Sequence, residues 1–347
     1  MLRAIIPYRP FRFAPLAALL LLQAPAAFPG DPPRALPFLR GISFSHEVRE
    51  EGYGSDIAAA QLSRMHDLGA NAVAIVPYAF TRAPLDLTVR YRGTDESDER
   101  LRLTFAQARR LGMRTMLKPQ LWDPGRFTGD IAIPKDADFD LWFAGYRSWM
   151  LHEAGLAAQE KADLLVIGTE LGGVTRSPHQ VAAWRGLIHD VRRIYPGPLT
   201  YAANWANDFE VLPFWGDLDV LGLNMYYPLA GPGETPRADS PRVRDLSAKL
   251  AALSRRYGKP VLFTEVGYAA TSNAAVEPWK EDTGNPDPAM QARCYQVVFE
   301  AFYREPWLAG LFWWKWPSHG RSGDHSFNPL GKPALQVLER WYGQAGR

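Results

Sequence analysis

Two glutamates stand where apolar runs stop. Glu170 closes DLLVIGTE (163–170) and Glu265 lies near the end of PVLFTEV (260–266). A single carboxylate at a strand end is most often a solvated or ion-paired side chain. Two that meet among aromatic and amide groups can divide a task, because desolvation raises the pKa of one, so that it carries a proton, while the other stays ionised. Cleavage of a glycosidic bond needs that division: one carboxyl group protonates the leaving oxygen and the other acts at the opposite face of the sugar ring.

Residues after the other apolar runs suit the same chemistry. His46 follows LRGISFS, Lys118 ends MRTMLKP with Gln120 and Trp122 just beyond, and Asn204 and Trp205 follow PLTYAA. Asn224, Tyr226 and Tyr227 close LDVLGLNMYY, Tyr268 comes soon after Glu265, and Trp313 and Trp314 end LAGLFWW. Aromatic rings offer flat faces to sugars, and amides and lysine recognise hydroxyls. Apart from Gln120, these residues are the eleven candidate substrate contacts. His46 also fits a structural histidine that orients a carboxylate, and Lys118 fits an ion pair in the mouth of the scaffold.

Groups so far apart in the chain converge only if one scaffold places all the run ends on one face. Eight nearly continuous apolar runs, 39–45, 70–77, 113–119, 163–170, 198–204, 218–224, 260–266 and 308–314, read as strands covered on both faces. Longer amphipathic segments alternate with them, giving eight strand–helix pairs. Ser177-Pro178-His179-Gln180 supplies an N-cap, a first-turn proline and a capping-box glutamine, and Asp287-Pro288 repeats the cap and proline. Gly69, Gly112 and Gly258 stand where helices must stop in a left-handed conformation. The pattern predicts a (β/α)8 TIM barrel, α/β in class, whose reactive groups lie at the carboxyl ends of the strands. A doubly wound open sheet would need a glycine-rich phosphate turn after its first strand. Gly52-Tyr53-Gly54 lacks the third glycine and follows Glu47, Glu50 and Glu51. No Pro/Gly/Ser linker divides the chain, so a single catalytic domain is expected over 31–347, with 78–97, 227–240 and 269–287 as loops over one face.

A net charge of +2 without a basic run excludes a nucleic-acid surface. Cys294, the single cysteine, excludes an intrachain disulfide and sits in a helical pattern as a buried apolar residue. His319, Asp324 and His325 match no metal-ligand spacing, so no metal is expected, and two-carboxylate chemistry needs no cofactor. GISFS lacks the G-x-S-x-G turn of a serine nucleophile, and TDESDER (94–100) reads as a solvated loop entering a helix. TEVGY and WWKWP after the last two strands lack a glycine-rich phosphate cradle. A catalytically silent glycan-binding barrel would have no reason to keep a costly pair of like charges.

The first residues have a separate logic. Arg3, Arg9 and Arg12 precede an apolar stretch from Ala14 to Leu22, and small residues follow at Ala24, Ala26 and Ala27. This is the three-part form of a secretory signal, too short for an ordinary membrane span, with cleavage expected after Ala26 or Ala27. An uncleaved anchor is the competing reading. Residues 1–30 are therefore set apart from the barrel, and export to the periplasm or medium is expected.

Glutamates at the ends of strands 4 and 7 of an eightfold barrel resemble the pattern of clan A retaining glycoside hydrolases. RGISFSHE (40–47), MLKP, IGTEL (167–171), LGLNMYY (221–227), FTEVGY (263–268) and GKPALQVLERWY (331–342), in this order, are similar to glycoside hydrolase family 113, whose characterised members are mainly β-mannanases. The resemblance implies that Glu170 is the general acid/base and Glu265 the nucleophile of a retaining double displacement on a β-linked, mannose-containing poly- or oligosaccharide. Retention requires the two carboxyl groups to be about 5 to 5.5 Å apart. Much of clan A has asparagine before the strand-4 acid; Thr169 stands there, which leaves the sugar 2-hydroxyl to Asn204 or Asn224. Tyr226 or Tyr227 would orient Glu265. Trp313 or Trp314 would floor the subsite beside the scissile bond, since alternation turns only one of them inward.

Overall fold

The computed structural model describes residues 36–343 except 47–48, 82–85, 92–96, 207, 322 and 324. The expected leader and its cleavage site, Asp324 and the start of TDESDER lie outside the described residues. Eight strands form a closed parallel barrel: β1 (Leu39–Ser45), β2 (Ala72–Ile75), β3 (Arg114–Leu117), β4 (Leu164–Thr169), β5 (Leu199–Asn204), β6 (Leu221–Met225), β7 (Val261–Val266) and β8 (Leu308–Pro317). Each pairs with the next, and β8 closes on β1 through Leu39↔Gly310 and its neighbours. Every expected strand forms; most are trimmed where the chain leaves the sheet, while β8 runs on to Pro317.

Alternation along the strands builds two cores. Ala72, Ala74, Met116, Leu164, Val166, Leu262 and Phe312 point into the barrel. Val73, Ile75, Leu117, Leu165, Ile167 and Phe263 point out to the helices. Phe312 occupies so much of the interior that a Cβ at Gly41 of β1 would overlap its ring. A strand that reads as continuously apolar is the consequence of this double burial.

Side chains cap the starts of five helices among the described residues. Ser55 and Ser97 cap α1 (Asp56–Asp67) and α2 (Asp98–Arg110), α3 covers Asp136–Gln159, and the Ser177/Gln180 capping box opens α4 (Pro178–Ile194). Ser240 caps α5 (Pro241–Tyr257), Asp287 caps α6 (Pro288–Phe302), and α7 covers Pro333–Gly343. Gly258 ends α5 at φ 64°, a left-handed geometry that a Cβ would disfavour.

The count of eight strand–helix pairs needs correction. No α-helix joins β5 to β6 among the described residues; the connection holds a single 3-10 turn, Trp215–Asp217. Its apolar residues Phe209, Leu212, Phe214 and Trp215 are buried, and the Trp215 indole donates to the Phe209 carbonyl at 2.8 Å. Packing of this compact connector replaces the missing helix, and Pro213 within it suits a turn better than a helix interior.

All three long excursions carry structure of their own. Tyr78–Phe80 pairs in parallel with Gln120–Trp122 as a separate two-stranded sheet. The 227–240 loop is tied to the 269–287 loop by the Leu229 and Ala230 amides, which donate to the Ala275 carbonyl at 2.8 and 3.1 Å. Cys294 is buried on α6, and burial pushes its thiol pKa up, as an inert packing residue requires.

Candidate active site

Glu265 points into the mouth of the barrel from the end of β7 and is only 4% exposed. Its Oε1 accepts hydrogen bonds from the Lys118 ammonium and from the Gln120 side-chain amide, the latter at 2.6 Å. Its Oε2 accepts from the Tyr226 hydroxyl at 2.6 Å. Donors from the ends of β3 and β6 and from the short strand after β3 thus converge on one carboxylate, and charge-assisted bonds of this kind fix its orientation.

Glu170 follows the last residue of β4 with φ 52°, in the left-handed region. For a residue with a Cβ that conformation costs about 1–3 kcal/mol and persists only where the surroundings impose it. The Glu170 amide still donates to the Ala202 carbonyl of β5 at 2.9 Å. Its Oε1 accepts from the Asn204 side-chain amide at 2.9 Å, and Asn204 is fixed in turn because its Oδ1 accepts from the Ala206 amide at 2.9 Å. The Glu170 pKa is pushed up to about 8, first by burial and then by the charge of Glu265; Asn204 and the Lys118 charge oppose the rise without cancelling it. The pair can therefore hold one proton on Glu170 at neutral pH and present an oriented carboxylate at Glu265.

Both carboxyl groups line one cleft of about 790 Å³. Trp122, Asn204, Trp205, Tyr226 and Trp314, expected from the sequence as substrate contacts, line it with them. Tyr226, not Tyr227, bonds Glu265. Trp314 faces the cleft, whereas Trp313 is stacked on Tyr295 of α6 with ring centroids 3.6 Å apart.

Other expected substrate contacts lie elsewhere. Lys118 is fully buried beneath Glu265, so its ammonium serves the carboxylate. His46 accepts from the Tyr53 amide through Nδ1 at 3.3 Å and packs on the Tyr53 ring, which turns it from the cleft. Asn224 is enclosed between strands, accepting from the Thr264 hydroxyl at 2.9 Å. Tyr268 is buried with its hydroxyl donating to the Tyr227 carbonyl, and the Tyr227 ring packs edge-on to Trp205.

Sequence reasoning misses several cleft residues: Tyr78, Asp123, Arg126, Phe127, Trp279 and Phe327. They come from excursions without periodicity, and aromatic residues inside predicted loops are the one signal that marks most of them. Trp279 stacks on Trp205 at 5.7 Å, and Phe327 packs edge-on to Tyr226 at 6.0 Å.

The family model of Glycoside Hydrolase Family 113 matches residues 42–328. The chain belongs to glycoside hydrolase family 113. A solved GH113 β-1,4-mannanase, determined as a complex, is 26% identical, with a TM-score of 0.79 over 89% of this chain and 100% of its own. The GH113 β-mannanase AaManA from Alicyclobacillus acidocaldarius, in complex with ManMIm, is 27% identical, with a TM-score of 0.78 over 89% of this chain and 98% of its own. A Faecalibacterium prausnitzii β-glucuronidase, 14% identical with a TM-score of 0.61 over 89% of this chain and 49% of its own, shares the fold alone. Comparison with curated proteins finds no match. This family 113 glycoside hydrolase thus carries its two cleft glutamates on a β-mannanase-like barrel.

Proposed function

We propose that the protein is a retaining β-mannanase in which Glu170 is the general acid/base and Glu265 the nucleophile. The observation that carries this reading is the contrast between the two carboxyl groups: Glu170 with its pKa pushed up to about 8, Glu265 held by an ammonium, an amide and a phenol. Glu265 attacks the anomeric carbon while the Glu170 proton passes to the leaving glycosidic oxygen, so the C–O bond breaks as the ester to Glu265 forms. Esterification removes the Glu265 charge, the second cause of the raised Glu170 pKa, and Glu170 becomes a stronger acid. Its carboxylate then takes a proton from water, which displaces Glu265 and releases the sugar with net retention. Reducing-sugar release from β-mannan, glucomannan, cellulose, xylan and β-galactan tests the reading. Release from mannan supports it; release from another β-glycan alone replaces the substrate, and binding of mannan without release leaves a glycan-binding barrel.

Tyr226→Phe removes a hydrogen bond to Glu265 and keeps the ring that packs on Phe327. Loss of one charge-assisted bond of about 1.5–3 kcal/mol predicts a fall in kcat/KM of about ten- to a hundredfold. Steady-state kinetics on a mannan oligosaccharide checks it, and an unchanged kcat/KM would remove Tyr226 from the mechanism.

Trp122 and Trp279 are exposed by 54% and 46% and stand on the cleft wall. They fit sugar platforms away from the reacting bond. Trp122→Ala and Trp279→Ala are each expected to raise KM for a long manno-oligosaccharide about three- to tenfold with kcat nearly unchanged, the pattern of lost uniform binding. A fall in kcat at constant KM would contradict this placement.

Export of the mature enzyme follows from the reading of residues 1–30 as a secretory signal. N-terminal sequencing of the protein recovered outside the cytoplasm is expected to begin after Ala26 or Ala27. A full-length chain held in the membrane would favour the anchor.

A further inference from the structure

Glu170 is one of two non-glycine residues with positive φ among the described residues. A left-handed residue at a strand end turns the following amide away from the ladder, and that amide then needs an acceptor of its own. Here the Leu171 amide, on a residue 1% exposed, donates to the Tyr201 hydroxyl oxygen at 2.6 Å. Tyr201 lies on β5 next to Ala202, whose carbonyl takes the Glu170 amide. Adjacent residues of β5 therefore hold the two amides that flank the Glu170 Cα–C unit.

The Tyr201 ring is fixed as firmly as its hydroxyl. It lies so close under β4 that a Cβ at Gly168 would stand 2.7 Å from it and 2.9 Å from Trp184. Trp184 and Phe214 meet it edge-on, each with ring centroids 5.7 Å away. Tyr201 is fully buried and does not line the cleft, so it cannot touch a sugar.

We propose that Tyr201 is a positioning residue for Glu170: by accepting the Leu171 amide it holds the left-handed turn that aims the Glu170 carboxyl at the leaving oxygen and within reach of Asn204. The proposal rests on the acid/base role of Glu170. Tyr201→Phe leaves the ring in place and orphans the Leu171 amide, so the turn relaxes toward an ordinary conformation and the proton donor drifts.

The test compares aryl β-mannobiosides bearing a dinitrophenyl group, which departs without protonation, or a methoxyphenyl group, which needs it. For Tyr201→Phe the structure predicts that kcat/KM falls about tenfold on the methoxyphenyl substrate and less than about twofold on the dinitrophenyl one. Tyr195→Phe removes another buried hydroxyl, bonded to the Ala162 carbonyl ahead of β4, and is expected to leave that ratio unchanged. Carbon-13 NMR titration of the Glu170 carboxyl gives a readout that needs no substrate, and its midpoint is expected to move down from near pH 8 in Tyr201→Phe as the carboxyl gains water. Trp184→Phe, which loosens the ring and spares the hydroxyl, is expected to shift both readouts the same way by less, and serves if Tyr201→Phe does not fold. Equal losses on both aryl substrates with an unmoved midpoint would overturn the proposal. A wild type inactive on all mannosides, with the midpoint still moved by Tyr201→Phe, would overturn the mannanase reading and support the positioning role.

Discussion

Glu265→Gln is expected to lower kcat on mannan by about 10⁴-fold or more, the scale on which loss of a covalent nucleophile is felt. The amide matches the carboxylate in shape, so the cleft keeps its form while the attacking charge is lost. The substitution also strands Lys118, which is fully buried against Glu265. Removing one member of a buried ion pair destabilises by about 3–5 kcal/mol when the other charge stays, and the retained carbonyl oxygen of the glutamine places this case near the lower end. Guanidinium unfolding is therefore expected to show a clear loss of stability beside the loss of turnover. A variant within about tenfold of wild-type kcat would assign the nucleophile to another residue.

Glu170→Gln is expected to cost about 10²- to 10⁴-fold in kcat/KM on substrates with a poor leaving group, the usual worth of a positioned general acid. The pH profile carries the sharper signature. The acid must be protonated in the free enzyme, so wild-type kcat/KM is expected to fall as pH rises through about 8, and that limb should vanish in the variant. An alkaline limb that survives in Glu170→Gln would mean that another group titrates there.

The same group ties activity to stability. Folded, Glu170 keeps its proton to about pH 8; unfolded, it releases it near the ordinary value of 4.5. Between those values the folded protein binds more protons than the unfolded chain, so this residue makes stability fall as pH rises. Glu170→Gln is therefore expected to melt higher than wild type at about pH 9 and at nearly the same temperature at about pH 4. An unchanged difference in melting temperature across that range would show that Glu170 titrates normally.

The sequence by itself determined the barrel strands, two of the helix starts and the two acids. An apolar run bounded by polar residues records burial on both faces, and Ser177 with Gln180 or Asp287 with Pro288 starts a helix through bonds within a few residues. Glu170 and Glu265 are legible because each ends such a run, and closing a parallel barrel puts all those ends on one rim. Only the tertiary structure decided what each neighbour does. Lys118 meets a carboxylate 147 residues away along the chain, and nothing local announces that partner. Phe312, Trp313 and Trp314 alternate in, out and in along β8, but the phase of that alternation, which sends Trp314 and not Trp313 to the cleft, is set only by how the strand seats in the closed barrel. Tyr226 is separated from Tyr227 by which side of the strand end faces Glu265, and the helix absent after β5 was replaced by aromatic packing around Trp215. Tyr78, Trp279 and Phe327 reach the cleft from excursions whose paths are set by contacts with one another, because an aperiodic segment carries no local record of where it folds.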